Sequence, residues 1–272
     1  MACGMKLDDE RAARGVAAPA PARVPLAGVA IDNVTMDEAV ARIAALVEAR
    51  TPAYVVTPNV DHIVKLQRDE DFRQVYARAA LVLADGMPLL WAARYLGTPL
   101  KAKVSGSDLF PRFCGVAAER GYRLFFLGGQ PRAAEQARDA LRQQHPALQV
   151  VGTCCPPFGF ERDAATNEGV IEQIRAARPN VLFVGLGAPK QELWLSRHLS
   201  ACGVPVGIGV GASFDFVAGV VRRAPHLVQR VGLEWLWRLV QEPRRLYRRY
   251  LIEDPTFFRL IWQQKRRQRG RA

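Results

Sequence analysis

Leu81-Val82-Leu83-Ala84-Asp85-Gly86 is an apolar run that ends in a carboxylate and a glycine. A strand covered on both faces has this composition, and a glycine permits a sharp exit from it. In an open parallel sheet, ligands sit in the crevice outside the carboxyl ends of the strands, so an aspartate there is placed to meet one. An Asp-Gly pair is equally at home in a plain turn, so Asp85 acquires a chemical role only if the rest of the chain builds that sheet.

Working outward, Ala53-Tyr54-Val55-Val56 predicts a strand that ends in Thr57-Pro58-Asn59. The proline stops further pairing and leaves the Thr57 hydroxyl and Asn59 amide at the strand's carboxyl end. Such groups hold a sugar or diphosphate, or cap the helix that opens near Val60. Upstream, Leu26 to Ile31 predicts a first short strand, and Thr35 with Glu38 opens an amphipathic helix carrying Ala39, Ile43 and Leu46. Downstream, a helix runs from about Pro88 to Leu96. The loop Lys103-Val104-Ser105-Gly106-Ser107-Asp108 then leads into a helix over Leu109 to Arg120, where free amides and Lys103 attract an anion, or Ser107 or Asp108 caps.

Arg123 to Leu127 predicts a strand closed by Gly128-Gly129. It lacks the third spaced glycine of a dinucleotide site and the lysine of a P-loop, so neither NAD nor ATP is assigned, and no cofactor is expected. A helix over Ala133 to Gln144 and a strand around Val150 to Gly152 follow. The strand in Pro179 to Gly187 delivers Lys190-Gln191-Glu192 to the same edge as Asp85; Lys190 suits a phosphate, Gln191 a sugar hydroxyl or uracil edge. Val206 to Gly211 is the last strand, its alternating glycines implying close packing. Strands alternating with helices of these lengths predict an α/β fold, a Rossmann-like, mainly parallel sheet with helices on both faces. Asp69-Glu70-Asp71 mimics a metal clamp, but it lies beside Arg68 and Arg73 in a polar helical stretch, so it is a solvated face and no metal site is assigned.

The 272 residues suffice for one large α/β domain with an appendage, and 49% hydrophobic with 24% charged residues is an ordinary folded composition. The net charge of +12 is less ordinary. Residues 218–272 hold 14 Lys and Arg against 4 Asp and Glu, which concentrates the excess there and calls for an anionic partner. The five cysteines are odd in number and lack ligand spacing, which argues against a disulfide framework or zinc and for a reducing compartment. Residues 1–23 are rich in Ala, Pro and Arg without an apolar centre, so a disordered segment is expected there, and no uncharged apolar run reaches the roughly 18 residues of a membrane span. The α/β domain is placed at 24–217 and the basic appendage at 218–272.

Within the appendage, Leu233, Leu236, Trp237, Val240 and Leu246 fall at helical spacing while Arg238, Arg245, Arg248 and Arg249 recur three, four or seven apart. Pro243 breaks the helix, and Tyr250, Phe257, Phe258, Leu260, Ile261 and Trp262 continue an amphipathic tail that ends in Lys265-Arg266-Arg267. Aromatic, arginine-rich amphipathic segments suit an anionic membrane surface; nucleic acid is the rival partner and an ordinary docking helix the third reading.

Taken together, Thr57-Pro58-Asn59, Ala84-Asp85-Gly86, Val104-Ser105-Gly106-Ser107-Asp108, Gly187-Ala188-Pro189-Lys190-Gln191-Glu192, Gly211-Ala212-Ser213-Phe214-Asp215-Phe216 and Gly232-Leu233-Glu234-Trp235 resemble the WecG/TagA/CpsF glycosyltransferases, in that family's order. The resemblance implies an inverting, metal-independent enzyme. It would move a hexose or N-acetylhexosamine, N-acetylmannosamine among the options, from a UDP-sugar to a saccharide on undecaprenyl diphosphate in cell-surface polysaccharide assembly. It also implies peripheral association with the inner face of the plasma membrane, no nucleic-acid partner, and room for self-association. By matching motif, Asp85 is the general base, and Thr57, Asn59 and Gln191 are pocket residues. Lys103, Ser105, Gly106 and Lys190 are expected to add substrate contacts, and Arg238, Arg245 and Arg248 fall where the family's appendage arginines are expected to reach the diphosphate. Lys103 departs from the arginine frequent at its position, which keeps the charge and loses the fork.

Overall fold

The computed structural model describes residues 22–230 and 232–270, apart from the side chains of His226, Arg230 and Arg245. The expectation for the N-terminal segment up to residue 21 therefore lies outside the described residues. Arg23 already opens a strand: β1 (Arg23–Leu26) and β2 (Val29–Asp32) pair antiparallel as a separate hairpin. Leu26 to Ile31, expected as one strand, is thus the turn and inner part of two. The reason is the backbone of Ala27 and Gly28, with φ of 47° and 87°, since two successive left-handed residues make the tight turn whose twist fits a hairpin. Ala27 is held there from both sides: its carbonyl accepts from Gln67 Nε2 at 2.9 Å, and its N–H donates to Gln264 Oε1 at 2.7 Å.

The main sheet has six strands, all parallel, in the order β4-β3-β8-β7-β5-β6. They are β3 (Ala53–Val56), β4 (Leu81–Val82), β5 (Arg123–Gly128), β6 (Gln149–Cys154), β7 (Val181–Gly185) and β8 (Val206–Gly209). Successive side chains alternate between faces, so Leu124 and Phe126 of β5 enter one core while Phe125 and Leu127 enter the other. One core packs the helices Met36–Ala49, Gly106–Arg120 and Ala133–Gln144; the other packs Val60–Leu66, Met87–Leu96, Ala164–Ala177 and Lys190–His198. The expected architecture, parallel with helices on both faces, is the one found.

Strand β4 is short, yet the extended chain beyond it stays tied to the sheet. Leu83 N–H donates to the Val56 carbonyl at 2.9 Å, Asp85 N–H to Pro58 at 2.8 Å, and Val104 N–H to Ala84 at 2.8 Å. These bonds fix Asp85 at the carboxyl edge, and Gly86 turns the chain away with φ 121°. The alternating glycines of β8 are close-packing positions as expected: a Cβ on Gly207 would lie 2.4 Å from Leu195 Cδ2, and one on Gly209 would lie 2.8 Å from Gln191 Nε2.

The basic C-terminal segment forms helices His226–Arg230, Glu234–Gln241 and Pro243–Tyr247, a π-helical stretch Arg248–Glu253, and the long helix Pro255–Arg269. Prolines open two of these, where a missing N–H costs nothing. The last helix buries Phe257 and Ile261, one turn apart, in the core, and Gln264 both accepts from Ala27 and donates to the Pro25 carbonyl at 2.9 Å. No helix among the described residues is long and apolar enough to cross a membrane.

Candidate active site

Asp85 lines a pocket of about 420 Å³, within the usual range for small-molecule sites. Its floor comes from the ends of β3 and β4 through Asn59, Asp61 and Asp85, with Lys103 beside them. Its roof comes from far along the chain, through Leu233, Trp235, Arg238, Arg249 and Tyr250. Burial pushes the Asp85 carboxyl up to about 6, with Glu234 adding repulsion and Lys103 and His62 pulling the other way. A carboxylate poised near neutrality in a cleft has the properties of a general base.

The cationic side of the pocket is built by a relay. Lys103 Nζ lies 3.1 Å from Asp108, whose other oxygen meets Arg223 at 2.7 Å, and Arg223 in turn lies 3.5 Å from Glu234. Burial would raise the Asp108 carboxyl, but Arg223, the Ser105 hydroxyl and Lys103 more than offset it and hold it down at about 2. A permanent anion therefore couples the sheet edge to the C-terminal roof. Arg249 donates to Asn59 Oδ1 at 3.2 Å and sits 3.6 Å from Asp61. Among the described residues, the buried atoms Arg238 Nε, Arg249 Nε and Asp254 Oδ1 of this lining have no hydrogen-bond partner. Unsatisfied buried groups of this kind are costly, and the two arginine nitrogens are donors free to meet an anion.

Of the residues expected in the site, the structure brings together Asp85, Asn59, Lys103 and Arg238. Four others form the layer beneath. Thr57 Oγ1 donates to the Gly209 carbonyl at 3.1 Å, and Gly106 packs against Thr57 and Val210. Ser105, not Ser107 or Asp108, caps the helix, which therefore starts at Gly106 rather than Leu109. Gln191 is buried, donating to Glu192 Oε1 at 2.7 Å and accepting from Gly211 N–H at 3.0 Å. Two residues lie elsewhere. Lys190 does not line the Asp85 pocket; its ammonium pairs with Glu161 at 2.8 Å and lies 3.9 Å from the Phe158 ring centroid, and these contacts hold it elsewhere. Arg248 is exposed and bonded to Glu253 at 3.2 Å; the π-helical stretch beginning at Arg248 sends its neighbour Arg249 into the pocket instead. The side chain of Arg245 lies outside the described ones.

Sequence reasoning misses Asp61, His62, Arg223 and Asp254, and it names Glu192 and Arg249 only as members of their motifs, without a place in the site. His62 joins Asn59 (Nδ1 to Oδ1, 2.7 Å) to Glu192 (Nε2 to Oε1, 3.3 Å), so a buried polar chain runs from the pocket floor to Gln191 and Gly211. The only local signal was the spacing of Asn59 and His62, a capping box with histidine in the glutamate's place. Asp69 caps the helix Glu70–Arg78 and Glu70 pairs with Arg73, in keeping with a solvated face. Among the described residues no group of three or more His, Cys, Asp or Glu is arranged to hold a metal.

A parallel α/β sheet that presents a carboxyl raised by burial beneath a roof carrying two arginines has the parts of a transferase site. The match to known proteins makes this specific: the chain belongs to the glycosyl transferase WecG/TagA/CpsF family, whose model covers residues 24–271, and is a glycosyltransferase. It is similar to an N-acetylglucosaminyldiphosphoundecaprenol N-acetyl-beta-D-mannosaminyltransferase of Bacillus spizizenii, 29% identical over 79% of this chain and 80% of that one. An enzyme of the same name from Staphylococcus aureus is 28% identical over 90% of this chain and 94% of its own.

Proposed function

We propose that this glycosyltransferase moves N-acetylmannosamine, or a closely related hexose, from its UDP-sugar to N-acetylglucosamine carried on undecaprenyl diphosphate. The relatives' names supply the substrate class, and the observation that carries the mechanism is Asp85, a carboxyl held near 6 opposite unpartnered arginine nitrogens. The Asp85 carboxylate takes the proton of an acceptor hydroxyl as that oxygen bonds to the donor's anomeric carbon. The bond from that carbon to the diphosphate breaks on the opposite face, so configuration inverts and UDP departs with the electron pair. Lys103, Arg238 and Arg249 offset the standing charge of the acceptor's diphosphate and the charge that grows on the departing UDP, arginine as a fork and lysine as a point charge. Thr57, Ser105, Gly106 and Gln191 act one layer down by fixing the strand ends that carry Asn59 and Asp85. Reaction at the inner face of the plasma membrane, with the basic segment on anionic lipid, brings a lipid-bound acceptor to the pocket mouth.

Asp85→Asn keeps the shape and removes the base. Transfer should fall by about 10²–10⁴-fold while UDP-sugar affinity, measured by calorimetry, stays within a few-fold. Full turnover in Asp85→Asn would remove Asp85 from this role. A panel of UDP-sugars against a synthetic prenyl-diphosphate acceptor, run with and without EDTA, identifies the donor; activity is expected to persist in the chelator.

A further inference from the structure

Two helices leave the pocket side by side, and each turns an aromatic pair toward the space between them. Trp91 and Tyr95 stand one turn apart on Met87–Leu96, and Phe258 and Trp262 one turn apart on Pro255–Arg269. Together with Pro88 and Ile261 they enclose a groove of about 270 Å³. The four aromatic side chains remain 47%, 51%, 62% and 51% exposed, although large apolar groups gathered in one place normally mark a binding surface. They are not needed for docking the last helix, since Phe257 and Ile261, one residue earlier on each turn, are already buried in the core, Ile261 reaching the groove floor as well. Pro88, Trp91 and Phe258 line both the groove and the Asp85 pocket, so the two adjoin. At the outer end Lys265 Nζ lies 5.7 Å from the Tyr95 ring centroid and the Arg266 guanidinium 4.7 Å from that of Trp262.

We infer that this groove seats the first isoprene units of the acceptor's hydrocarbon tail. The inference rests on the acceptor being prenyl-diphosphate-linked, as proposed above. A ligand that runs from the pocket into the groove must change from polar to apolar along its length. With its sugar at Asp85 and its diphosphate among Lys103, Arg238 and Arg249, such an acceptor has only its hydrocarbon left to place, and the aromatic walls begin there. A phospholipid acyl chain entering from the cationic rim would instead drive a terminal methyl toward charged groups, which is unfavourable. The volume, below that of ordinary ligand sites, suits a short length of single chain, with the remainder leaving beside Lys265 and Arg266 toward anionic lipid.

The test measures binding of farnesyl diphosphate and of inorganic diphosphate to the full chain by calorimetry. Farnesyl diphosphate should bind about ten-fold tighter or better, a difference of about 1.4 kcal/mol. Tyr95→Ser with Trp262→Ala, both outside the Asp85 pocket, should erase most of that advantage and leave inorganic diphosphate unchanged. Tyr95→Leu with Trp262→Leu, which keeps the walls apolar, should retain most of it and controls for folding. Equal affinities in the unaltered enzyme would overturn the inference. So would an advantage that survives the polar pair of substitutions, including the case where that pair only weakens binding to anionic phospholipid vesicles and the groove is a membrane contact. A prenyl advantage that the polar pair loses, alongside absent sugar transfer in the unaltered enzyme, would overturn the proposed reaction and support a prenyl-binding groove; normal transfer with no prenyl advantage in the unaltered enzyme would do the reverse.

Discussion

Asp85 sits in a place where its charge is disfavoured, and two measurable consequences follow from that one fact. In the proposed role the carboxyl must lose its proton to act, so kcat/KM should climb with pH along a limb centred near 6 and level off above it. Burial also raises Asp254 to about 6, against the pull of Arg249, so the same limb has two candidate owners. The limb should persist in Asp254→Asn, and its loss there would reassign the base. The second consequence concerns stability. A carboxyl whose folded value stands above its ordinary 3.8 favours the folded state when protonated, below the ordinary value, and that contribution is lost as pH rises through about 6. Asp85→Asn should therefore be more stable than the natural chain at pH 8, by about 1–2 kcal/mol, and the gap in melting temperature should close toward pH 4. Asp108 carries the opposite sign: its depressed value contributes stability above the ordinary range that is lost as pH falls toward 2.

At the level of elements, the strand ends were legible because their signals are local. Val55-Val56 before Thr57-Pro58, and Leu83-Ala84 before Asp85-Gly86, announce an apolar strand and its exit within a few residues. The roof over Asp85 was not legible in the same way. Arg249 and Arg248 are neighbours on one basic stretch, and only a π-helical turn, closed by Asp254 N–H on the Arg249 carbonyl at 2.8 Å, decides which of them points inward. The hairpin was misread because Ala27 has no local reason to adopt a left-handed backbone; its partners, Gln67 and Gln264, are distant in sequence. Strand β8 offers a test of packing free of any chemistry. Gly207→Ala would press a methyl group on Leu195, with a cost of about 1–3 kcal/mol in chemical denaturation and little change in the pH limb. An unchanged midpoint would mean that the helix Lys190–His198 shifts freely.

Seen whole, the molecule places its charge and its exposed apolar groups on the same C-terminal segment. Leu233, Leu236, Val240, Leu251, Ile252, Phe258 and Trp262 are all exposed there, amid most of the net positive charge. Changing Lys265, Arg266 and Arg267 to Gln should weaken sedimentation with anionic vesicles by about 100-fold, at about 1 kcal/mol per charge, and leave neutral vesicles unaffected. Equal loss on neutral vesicles would assign the contact to the apolar groups alone. The pocket has a floor written before residue 104 and a roof written after residue 228. During synthesis Asp85 emerges from the ribosome long before Arg238 and Arg249, which complete its surroundings, so a nascent chain carries that carboxyl in an open trough. A message truncated ahead of Phe257 would spare every residue of the sheet yet leave the pocket without the helix that packs on Val60–Leu66 and Met87–Leu96, so the roof is completed only when synthesis is nearly over.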